Sequence, residues 1–444
     1  MPDYIVIGLG NTGLKVSRFL LDHGERVFAV DDNLAPEAIP AEITSHPGFN
    51  FIPNDQWGRL VRHPFHEGIV SPGVPGDHSL VKALQSRGIS LISEIELASR
   101  VLSFPLIGIT GSNGKSTTVS LVGAIFHEAG IPAFVGGNLG TPLLEACLSG
   151  TRYEWGVVEV SSFQLERTYT ARFHLAAILN VFPNHLDRHR TMINYALTKA
   201  RILNNQCRED FTLINSSRSS WHTLFCRLSR SRIVPFSTQG RLSEGFFYDG
   251  LIIREQWCGH RYSLSTQAWK LPGLHNLENL LCAVATARTA GVDIPSIERA
   301  LGRFRGLAHR LEPVEEYNGV LFINDSKSTT PAATRAAVES IAGPLVLLVG
   351  GRAKLPDFSE LSAVLTQDKI KAVILFGESG DLLKEFIPGE LLCCQVHDLA
   401  EAVQRARLIA GMGDVVLLSP GCASWDQYRN FEDRGEHFRR LIHG

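Results

Sequence analysis

The chain has 444 residues, of which 44% are hydrophobic and 20% charged, with 43 basic against 45 acidic side chains. This length predicts two or three domains, and the balanced charge argues against nucleic acid or a charged membrane surface as a partner. Because no apolar run reaches the ~18 residues of a membrane span and the first residues lack the basic segment of a signal peptide, we expect a cytoplasmic protein without membrane insertion.

The chain begins with a predicted strand and a glycine-rich turn. Residues 4–7 lead into G-L-G-N-T-G at 8–13, and Asp31 and Asp32 end the next strand. This is the dinucleotide fingerprint in its β-α-β context, where the glycines let a pyrophosphate approach a helix N-terminus. Alone, the pattern favours NAD. The alternatives are another nucleotide that carries a diphosphate, or a tight turn without a ligand.

A second glycine-rich loop follows the predicted strand at 105–110. Residues 110–117 read T-G-S-N-G-K-S-T, which departs from G-x-x-x-x-G-K-[ST] because the upstream glycine, Gly108, lies one place early. The turn still presents backbone N–H groups to phosphate, and a lysine and a hydroxyl follow it for the γ-phosphate and Mg²⁺. We therefore predict ATP binding by Gly111, Ser112, Asn113, Gly114, Lys115, Ser116 and Thr117.

Two further predicted strands, at 155–160 and 175–179, end close to possible metal ligands. Glu159 ends the first strand, and His185 follows the second. Since the carboxyl ends of parallel strands face the ligand crevice, we expect Glu159 and His185 to converge near Lys115 and to suit a second Mg²⁺.

The helix after this strand pair carries Tyr195 and Lys199 on one face, four residues apart. A lysine at that place is normally a surface cation. Near two metal ions it would be repelled, unless its charge were altered.

Strands and helices alternate along the rest of the chain, with predicted strands at 320–324, 345–349, 372–376 and 415–419. Such alternation predicts a mostly parallel sheet in each unit. We assign no role to residues 205–263. The predicted fold is α/β with three domains: a Rossmann-like N-terminal domain (1–93), a central P-loop ATPase-like domain with a parallel sheet (94–306) and a C-terminal Rossmann-like α/β domain (307–444).

Short motifs spread over essentially the whole chain resemble those of the Mur ligases, and specifically of the branch that adds D-glutamate to UDP-N-acetylmuramoyl-L-alanine. In their order and spacing they are very specific. They are GLGNTG (8–13), SPGV (71–74), ITGSNGKST (109–117), GGNLG (136–140), EVSSFQLE (159–166), LNVFPNHLDRH (179–189), YALTKA (195–200), LPGLHNLEN (271–279), HRLE (309–312), INDSKST (323–329), GGRAK (350–354) and SPGCASWDQYRNFEDRG (419–435).

The resemblance implies an ATP-dependent amide ligase of cytoplasmic peptidoglycan precursor synthesis that acts as a monomer through an acyl phosphate. The first domain holds the UDP of the substrate, the second binds ATP, and the third binds ATP and the amino acid. In this family the lysine matched by Lys199 is carbamylated by CO₂, which replaces a cation by an anion and removes the repulsion noted above. The implied catalytic residues are Lys115, Glu159, His185 and Lys199. The implied ligands of two Mg²⁺ ions are Ser116, Thr117, Glu159, His185 and the Lys199 carbamate.

The remaining site residues follow from the same motifs. Uridine diphosphate is assigned to Asn11, Thr12, Asp31 and Gly73, and the muramoyl-alanine part to Asn138, Ser161 and Gln164. Asn276 and Asn279 match the adenine site, and Arg310 and Asp325 match C-terminal contacts to ATP. The implied D-glutamate contacts are Lys327, Thr329, Lys354, Ser424, Trp425 and Phe431. The two lysines suit the two carboxylates of glutamate.

Two positions depart from the family pattern. Asn33 stands where relatives often carry an arginine against the uridine. Trp425 replaces a smaller apolar residue beside the bound amino acid. We expect this to reshape the wall of the amino-acid site without loss of function.

Other functions remain open from the sequence. Within the family, the alternative is a sister ligase for another amino acid, although the third domain lacks the arginine-bearing motif that a diaminopimelate ligase needs. A folylpolyglutamate synthase lacks a UDP-binding first domain, so residues 1–93 count against it. From other classes, an NAD-binding dehydrogenase or sensor would use the first loop, and an ATP-binding scaffold would produce no ADP.

Overall fold

The structure is a computed structural model that describes residues 2–217, 219–271, 273–353 and 357–443. It divides into two compact units: Met1–Trp269 with Leu274–Phe304, and Lys270–Gly273 with Arg305–Gly444. Strands and helices alternate in both units, so the predicted α/β class is confirmed. Among the helices of the described ranges, none combines the length and the apolar character that crossing a bilayer requires.

The first unit begins with a parallel sheet whose described strands follow the order β3-β2-β1-β4-β5. Its central strand is apolar on both faces, because Ile5 and Ile7 pack into one buried cluster and Val6 into another. The strands are β1 (Asp3–Ile7), β2 (Arg26–Val30), β3 (Phe49–Phe51), β4 (Glu67–Val70) and β5 (Leu91–Ile92). The helices are α1 (Asn11–Asp22), α2 (Ala41–Thr44), α3 (Ser79–Ser86) and α4 (Glu94–Ser99), with 3₁₀ turns at Pro36–Ala38 and Asn54–Arg62.

A second, larger sheet of the same unit has the order β14-β13-β12-β11-β10-β9-β6-β8-β7 within the described residues. Its helices are α5 (Lys115–Glu128), α6 (Glu145–Leu148), α7 (Ser162–Leu165), α8 (Leu186–His189), α9 (Met192–Ala200), α10 (Ser219–Leu228), α11 (Leu274–Thr289) and α12 (Ile294–Arg303), with a 3₁₀ turn at Arg201–Leu203. Its strands are β6 (Leu106–Thr110), β7 (Ala133–Gly137), β8 (Trp155–Glu159), β9 (Leu175–Ile178), β10 (Phe211–Asn215), β11 (Arg232–Ser237), β12 (Gly245–Tyr248), β13 (Ile252–Trp257) and β14 (His260–Ser265).

The two sheets of the first unit share a buried core, in which Val6 and Val27 of the N-terminal sheet belong to the same cluster as Val158 and Phe173. Helix α4 links the sheets. Its Glu96 is fully buried and accepts hydrogen bonds from the backbone N–H groups of residues 169–171 at 2.8–3.1 Å. The nucleotide loops of both sheets therefore belong to one compact unit.

Residues 205–263, which carry no recognised pattern, extend the central sheet with five strands. The sheet is parallel as far as β12, and β13 and β14 then form an antiparallel hairpin. The hairpin turn is Cys258-Gly259, and both residues have positive φ (49° and 82°). Cysteine is an unusual residue for that conformation, so the usual Asn-Gly or Asp-Gly signal is missing from the sequence.

The second unit is built on one sheet, whose described strands follow the order β15-β16-β20-β17-β18-β19 and are parallel except for the pair β15–β16. Its strands are β15 (Glu312–Tyr317), β16 (Val320–Asn324), β17 (Leu345–Gly350), β18 (Ile370–Phe376), β19 (Leu392–Gln395) and β20 (Val415–Gly421). Its helices are α13 (Pro331–Ser340), α14 (Ser359–Leu365), α15 (Gly380–Lys384), α16 (Leu399–Ile409) and α17 (Phe431–His443). The four predicted strands are confirmed, and the two edge strands were not predicted.

Candidate active site

The first glycine loop has the geometry that its pattern predicts. Gly8 has φ +88°, and a Cβ on Gly13 would lie 1.9 Å from the carbonyl oxygen of Gly8, so helix α1 packs directly against the end of β1. A Cβ on Gly10 would meet no atom of the described residues within 4 Å. Gly10 is the N-cap of α1, so the first N–H groups of that helix have open space in front of them, as an anionic diphosphate requires.

This loop borders a cavity of about 450 Å³, a size that suits a small ligand. The cavity extends from the N-terminal sheet to the segment after β7, and it brings together Asp31 and six residues from four separate motifs. These are Asn11, Thr12, Asp31, Gly73, Gly140, Asn138 and Gln164. Six of the seven predicted UDP-substrate residues therefore line one cavity. The seventh, Ser161, is not among the lining residues.

The carboxylate of Asp31 is already engaged by the backbone. One oxygen accepts the N–H of Leu9 at 2.6 Å, and the other accepts those of Asn33 and Leu34 at 2.9 and 2.8 Å. Asp31 thus ties the glycine loop to the turn after β2, while its predicted contact with uridine stays a prediction. Asn33 lines the cavity as well.

His78, which sequence reasoning missed, also lines the cavity. Its Nε2 lies 3.1 Å from a carboxylate oxygen of Asp32. The sequence feature that could have identified His78 is its position four residues after the SPGV motif.

Gly108, the early glycine of the second loop, lies inside β6 and serves packing. A Cβ there would lie 2.5 Å from the ring of Phe173 and 2.9 Å from Ile202. The turn itself depends on Gly114, which has φ +86° and whose Cβ would lie 2.1 Å from the amide oxygen of Asn279. The turn therefore does not need the displaced glycine, which belongs to the core, and its binding of phosphate stays a prediction.

We expect Gly114→Ala to abolish nucleotide binding, because it combines a left-handed backbone with a clash against Asn279. Gly130, at the other end of α5, is a matched control: it has φ +71°, and its Cβ would meet no described atom within 4 Å. Gly130→Ala should lower the free energy of unfolding by only about 1 kcal/mol. Calorimetric titration with ADP would compare the two. Equal affinities would contradict the steric argument.

Two lysines meet at the carbonyl oxygen of Gly111. The ammonium of Lys115 donates to it at 3.0 Å and to the carbonyl of Ser112 at 3.1 Å, and that of Lys199 donates to it at 2.8 Å. Lys199 is only 1% exposed. Burial, followed by the charge of Lys115, holds the pKa of Lys199 well below its usual value, while Glu159 acts in the opposite direction. Lys199 is thus a buried amine biased towards its neutral form.

Glu159 lies at the carboxyl end of β8 and is 3% exposed. One carboxylate oxygen accepts a hydrogen bond from the hydroxyl of Ser116 at 2.6 Å, and the other accepts from the side-chain amide of Asn138 at 2.8 Å. Since Asn138 also lines the cavity, it connects the cavity with the phosphate loop. The predicted approach of Glu159 to this loop is confirmed.

Tyr195 occupies the centre of the group around the phosphate loop. Its ring lies 4.4 Å from the ammonium of Lys199, and its hydroxyl is 3.3 Å from that of Ser112. His185 packs edge-on against the rings of Phe163 and Tyr195, with centroids 4.8 and 6.4 Å away. The sequence placed Tyr195 beside Lys199 without giving it a role. The structure shows a 1% exposed ring that contacts both Lys199 and His185.

The side chains around the phosphate loop offer oxygen donors that could hold Mg²⁺. Among the described residues, no group of three or more His, Cys, Asp or Glu side chains is arranged to hold a metal. The carboxylate of Glu159 nevertheless faces the hydroxyl of Ser116, and Mg²⁺ prefers such oxygen donors and takes further ligands from phosphate and water. These donors fit one such ion together with ATP.

Four other predicted residues of the first unit have neighbours of their own. Ser161 and Gln164 cap the N-terminus of α7 reciprocally, so the hydroxyl of Ser161 is engaged locally. Asn276 and Asn279 lie on α11 with 8% and 3% exposure, and the amide of Asn279 faces Gly114. Asn279 thus supports the phosphate turn, while the adenine contact of both residues stays a prediction.

In the second unit, the predicted ATP contact Asp325 organises the loop that carries Arg310. Its carboxylate accepts the N–H of Leu311 at 3.2 Å and the hydroxyl of Ser419 at 2.7 Å. Burial raises the pKa of Asp325 to about 6. Leu311 and His309 both have positive φ, so Asp325 holds a strained turn whose central residue is Arg310.

Of the predicted D-glutamate residues that the structure describes, Lys327, Thr329, Ser424 and Trp425 lie on loops of the second unit, and Phe431 begins α17. Lys327 extends over the ring of Phe431 at 5.6 Å, Ser424 is buried, and Trp425 is 61% exposed. Thr329 is half-buried. Lys354 lies outside the described residues.

Arg434, which sequence reasoning missed, joins the loops that carry these residues. Its guanidinium is fully buried and donates to the carbonyl oxygens of Ser326, Gly350 and Cys422 at 2.9–3.4 Å. The sequence signal that was available for Arg434 was its place in the FEDRG end of the 419–435 motif.

Comparison with known protein families matches the N-terminal, middle and C-terminal parts of the chain to three domain families. Residues 2–93 match the Mur ligase MurD-like N-terminal domain, residues 109–287 the Mur ligase middle domain, and residues 309–422 the glutamate ligase domain of Mur ligases. The chain is 40% identical to a UDP-N-acetylmuramoylalanine–D-glutamate ligase from Pelotomaculum thermopropionicum, with 99% of this chain and 96% of the relative covered. The ligase of the same name from Alkaliphilus metalliredigens is 38% identical, with coverages of 99% and 97%.

Solved structures show the same fold. The MurF ligase from Thermotoga maritima, determined in complex with ADP, has a TM-score of 0.60 and 18% identity, with 100% of this chain and 95% of that chain covered. The predicted three-domain α/β architecture is therefore confirmed.

Proposed function

The chain belongs to the Mur ligase family, and we propose that it joins D-glutamate to UDP-N-acetylmuramoyl-L-alanine in an ATP-dependent reaction of peptidoglycan precursor synthesis. Relatives that carry the name of this ligase match over nearly the whole chain at 36–40% identity. We further propose that it works as a monomer in the cytoplasm. Family membership removes the NAD-dependent dehydrogenase as an alternative, since residues 2–93 match the N-terminal domain of these ligases.

The observation that carries the proposal is the position of Asn138 between the two glycine loops. It lines the cavity at the first loop and donates to Glu159, which accepts from Ser116 of the second loop. A substrate whose diphosphate lies at Gly10 would then direct its far end towards the phosphate loop. One loop holds the molecule to be extended, and the other holds the ATP that activates it.

In the first step, a carboxylate oxygen of the alanine attacks the γ-phosphorus of ATP. A P–O bond to the substrate forms, the bond to the β-phosphate oxygen breaks, and ADP leaves. Lys115, which donates to the loop carbonyls of Gly111 and Ser112, is placed to turn towards the phosphate and offset its charge. Ser116 and Thr117 would hold a first Mg²⁺, and Glu159, His185 and the Lys199 carbamate would hold a second. These ions would supply positive charge that offsets the phosphate oxygens.

In the second step, the amine of D-glutamate attacks the acyl-phosphate carbonyl after losing a proton. The C–N bond forms and inorganic phosphate leaves with the electrons of the C–O bond. Lys327, Thr329, Lys354, Ser424, Trp425 and Phe431 hold the amino acid in this proposal. Arg310 and Asp325 contribute to ATP binding from the second unit, and Asn276 and Asn279 from α11.

Lys199 is carbamylated in this proposal. Its neutral amine attacks CO₂, an N–C bond forms as one C–O π bond opens, and a proton is released to give the carbamate anion. Support comes from the surroundings of the amine, which is buried and shares the carbonyl of Gly111 with the cation Lys115. An anion at this place would attract Lys115 and complement a metal ion.

We expect Lys199→Ala to lose most of the ligase activity and to regain part of it in acetate, which can supply a carboxylate in the vacated space. The rate of phosphate release with and without acetate checks this. Chloride at equal ionic strength is the control for a salt effect. Full activity of Lys199→Ala without additives would rule out the carbamate.

The proposed function is tested by phosphate release with UDP-N-acetylmuramoyl-L-alanine and ATP in the presence of D-glutamate, L-glutamate, glycine or diaminopimelate. We expect turnover with D-glutamate only, and a product whose mass has increased by one glutamyl residue. Turnover with diaminopimelate instead would assign the chain to a sister ligase. No ADP with any amino acid would make it a nucleotide-binding scaffold.

A further inference from the structure

Residues 137–144, here called the bridging segment, connect the nucleotide cavity with the phosphate loop. Gly137, Asn138, Gly140 and Pro142 line the cavity, and the segment is fixed from several sides. The backbone N–H of Asn138 donates to the carbonyl of Glu159 at 2.9 Å. Gly140 accepts a hydrogen bond from the side chain of Asn11 at 3.1 Å. The position of this segment therefore decides where both the substrate and Glu159 lie.

The far end of the bridging segment is held by Glu94, which the chemistry proposed above does not use. A carboxyl oxygen of Glu94 accepts the N–H of Leu144 at 2.6 Å, and the N–H of Leu143 is directed at it as well. Leu143 and Leu144 are fully buried, and Glu94 is 1% exposed. Buried N–H groups need an acceptor, and Glu94 provides one from a different helix, α4.

The other oxygen of Glu94 has no hydrogen-bond partner among the described residues. A buried carboxylate oxygen without a partner is costly, so this side chain is not what a simple packing role would select. Burial raises the pKa of Glu94 to about 7, so much of the carboxyl is neutral at physiological pH. A neutral carboxyl still accepts the backbone hydrogen bond of Leu144 through its carbonyl oxygen.

We propose that Glu94 is a positioning residue for the UDP-linked substrate, which it orients by anchoring the bridging segment beneath the cavity. The inference rests on the proposed function, because it assumes that the substrate lies in this cavity. Glu94 touches no substrate atom. It acts through the hydrogen bond that it accepts from the N–H of Leu144, which fixes the segment that carries Asn138.

Three variants of the full chain separate positioning from a general loss of stability. Glu94→Gln keeps an amide oxygen for the same N–H groups, whereas Glu94→Ala removes the acceptor. Glu96→Ala is the matched control, since Glu96 is an equally buried acid on the same helix that anchors residues 169–171 instead.

Calorimetric titration with UDP-N-acetylmuramoyl-L-alanine measures the affinity without turnover, and amide hydrogen exchange of the peptide that covers the bridging segment reports the anchoring. We expect Glu94→Ala to bind about tenfold more weakly and to exchange faster in this peptide, while its affinity for ADP stays unchanged. Glu94→Gln should have the wild-type affinity for the UDP-linked substrate and the wild-type exchange rate in this peptide. Glu96→Ala should lower the melting temperature without changing exchange in this peptide.

Each outcome decides one question. Failure of the wild-type chain to bind the UDP-linked substrate would reject the proposed function itself. Wild-type binding together with unchanged affinity or exchange in Glu94→Ala would overturn the role of Glu94. Should Glu94→Ala not fold, Glu94→Gln decides through exchange: faster exchange in the bridging segment despite the retained amide oxygen would also overturn it.

Discussion

Lys115→Ala is expected to lower kcat for phosphate release by roughly a few hundredfold, which corresponds to about 3–4 kcal/mol of lost transition-state stabilisation. The reason is that the γ-phosphoryl group carries its charge in a buried site, where a positioned cation is worth more than in water. Lys115 donates to two loop carbonyls at the phosphate turn, so its ammonium starts next to the reacting group. Steady-state phosphate release under saturating substrates measures the effect.

The matched control for Lys115→Ala is Lys82→Ala, which removes an exposed lysine on α3 of the same unit. It should leave kcat unchanged. Circular dichroism should show both variants folded, because truncation of Lys115 leaves the glycine backbone of the turn in place. Phosphate release near the wild-type rate in Lys115→Ala would remove this lysine from the catalytic assignment.

Arg434→Met is expected to lower the free energy of unfolding of the second unit by about 3–5 kcal/mol and to raise the KM for D-glutamate. Methionine fills much of the arginine volume but donates no hydrogen bond. The carbonyl oxygens of Ser326, Gly350 and Cys422 therefore lose their donor in a buried environment. Ser326 and Cys422 adjoin the loops of Lys327 and Ser424, which therefore lose their fixed spacing. Denaturant unfolding and the KM for D-glutamate measure the two effects.

Arg429→Met provides the matched control for this prediction. Arg429 lies five residues earlier, its side chain is 88% exposed, and it pairs with Asp433 on the surface. Exposed ion pairs contribute little, so we expect a change below about 1 kcal/mol and an unaltered KM. Equal unfolding midpoints and equal KM values for Arg434→Met and the wild-type chain would show that the buried guanidinium does not hold these loops.

Local patterns predicted the elements that carry the chemistry. The strands at 4–7, 106–110 and 345–350 were recognisable because strands buried on both faces need continuous apolar runs. The hairpin at 252–265 and the edge strand at 392–395 were not, since their exposed faces tolerate polar residues and their turns lack the common signals.

The site was predictable to the extent that its residues lie in motifs. Lys115, Ser116 and Glu159 lie where the strand–loop context placed them, and six of the seven UDP-substrate residues share one cavity. Glu94, His78 and Arg434 were missed. Each acts on residues far away in the sequence, so a local pattern does not reveal its partners.

The sequence by itself determined that this chain has two phosphate-type loops, because a tight turn at Gly8 or Gly114 requires a glycine and leaves a recognisable pattern. Only the tertiary structure decided what the other residues do. It places Gly108 in the core, brings Lys115 and Lys199 to one carbonyl oxygen, and lets Asn138 connect the cavity with Glu159. The physical reason is that such contacts depend on strand order and on side-chain packing between distant segments, neither of which a local pattern records.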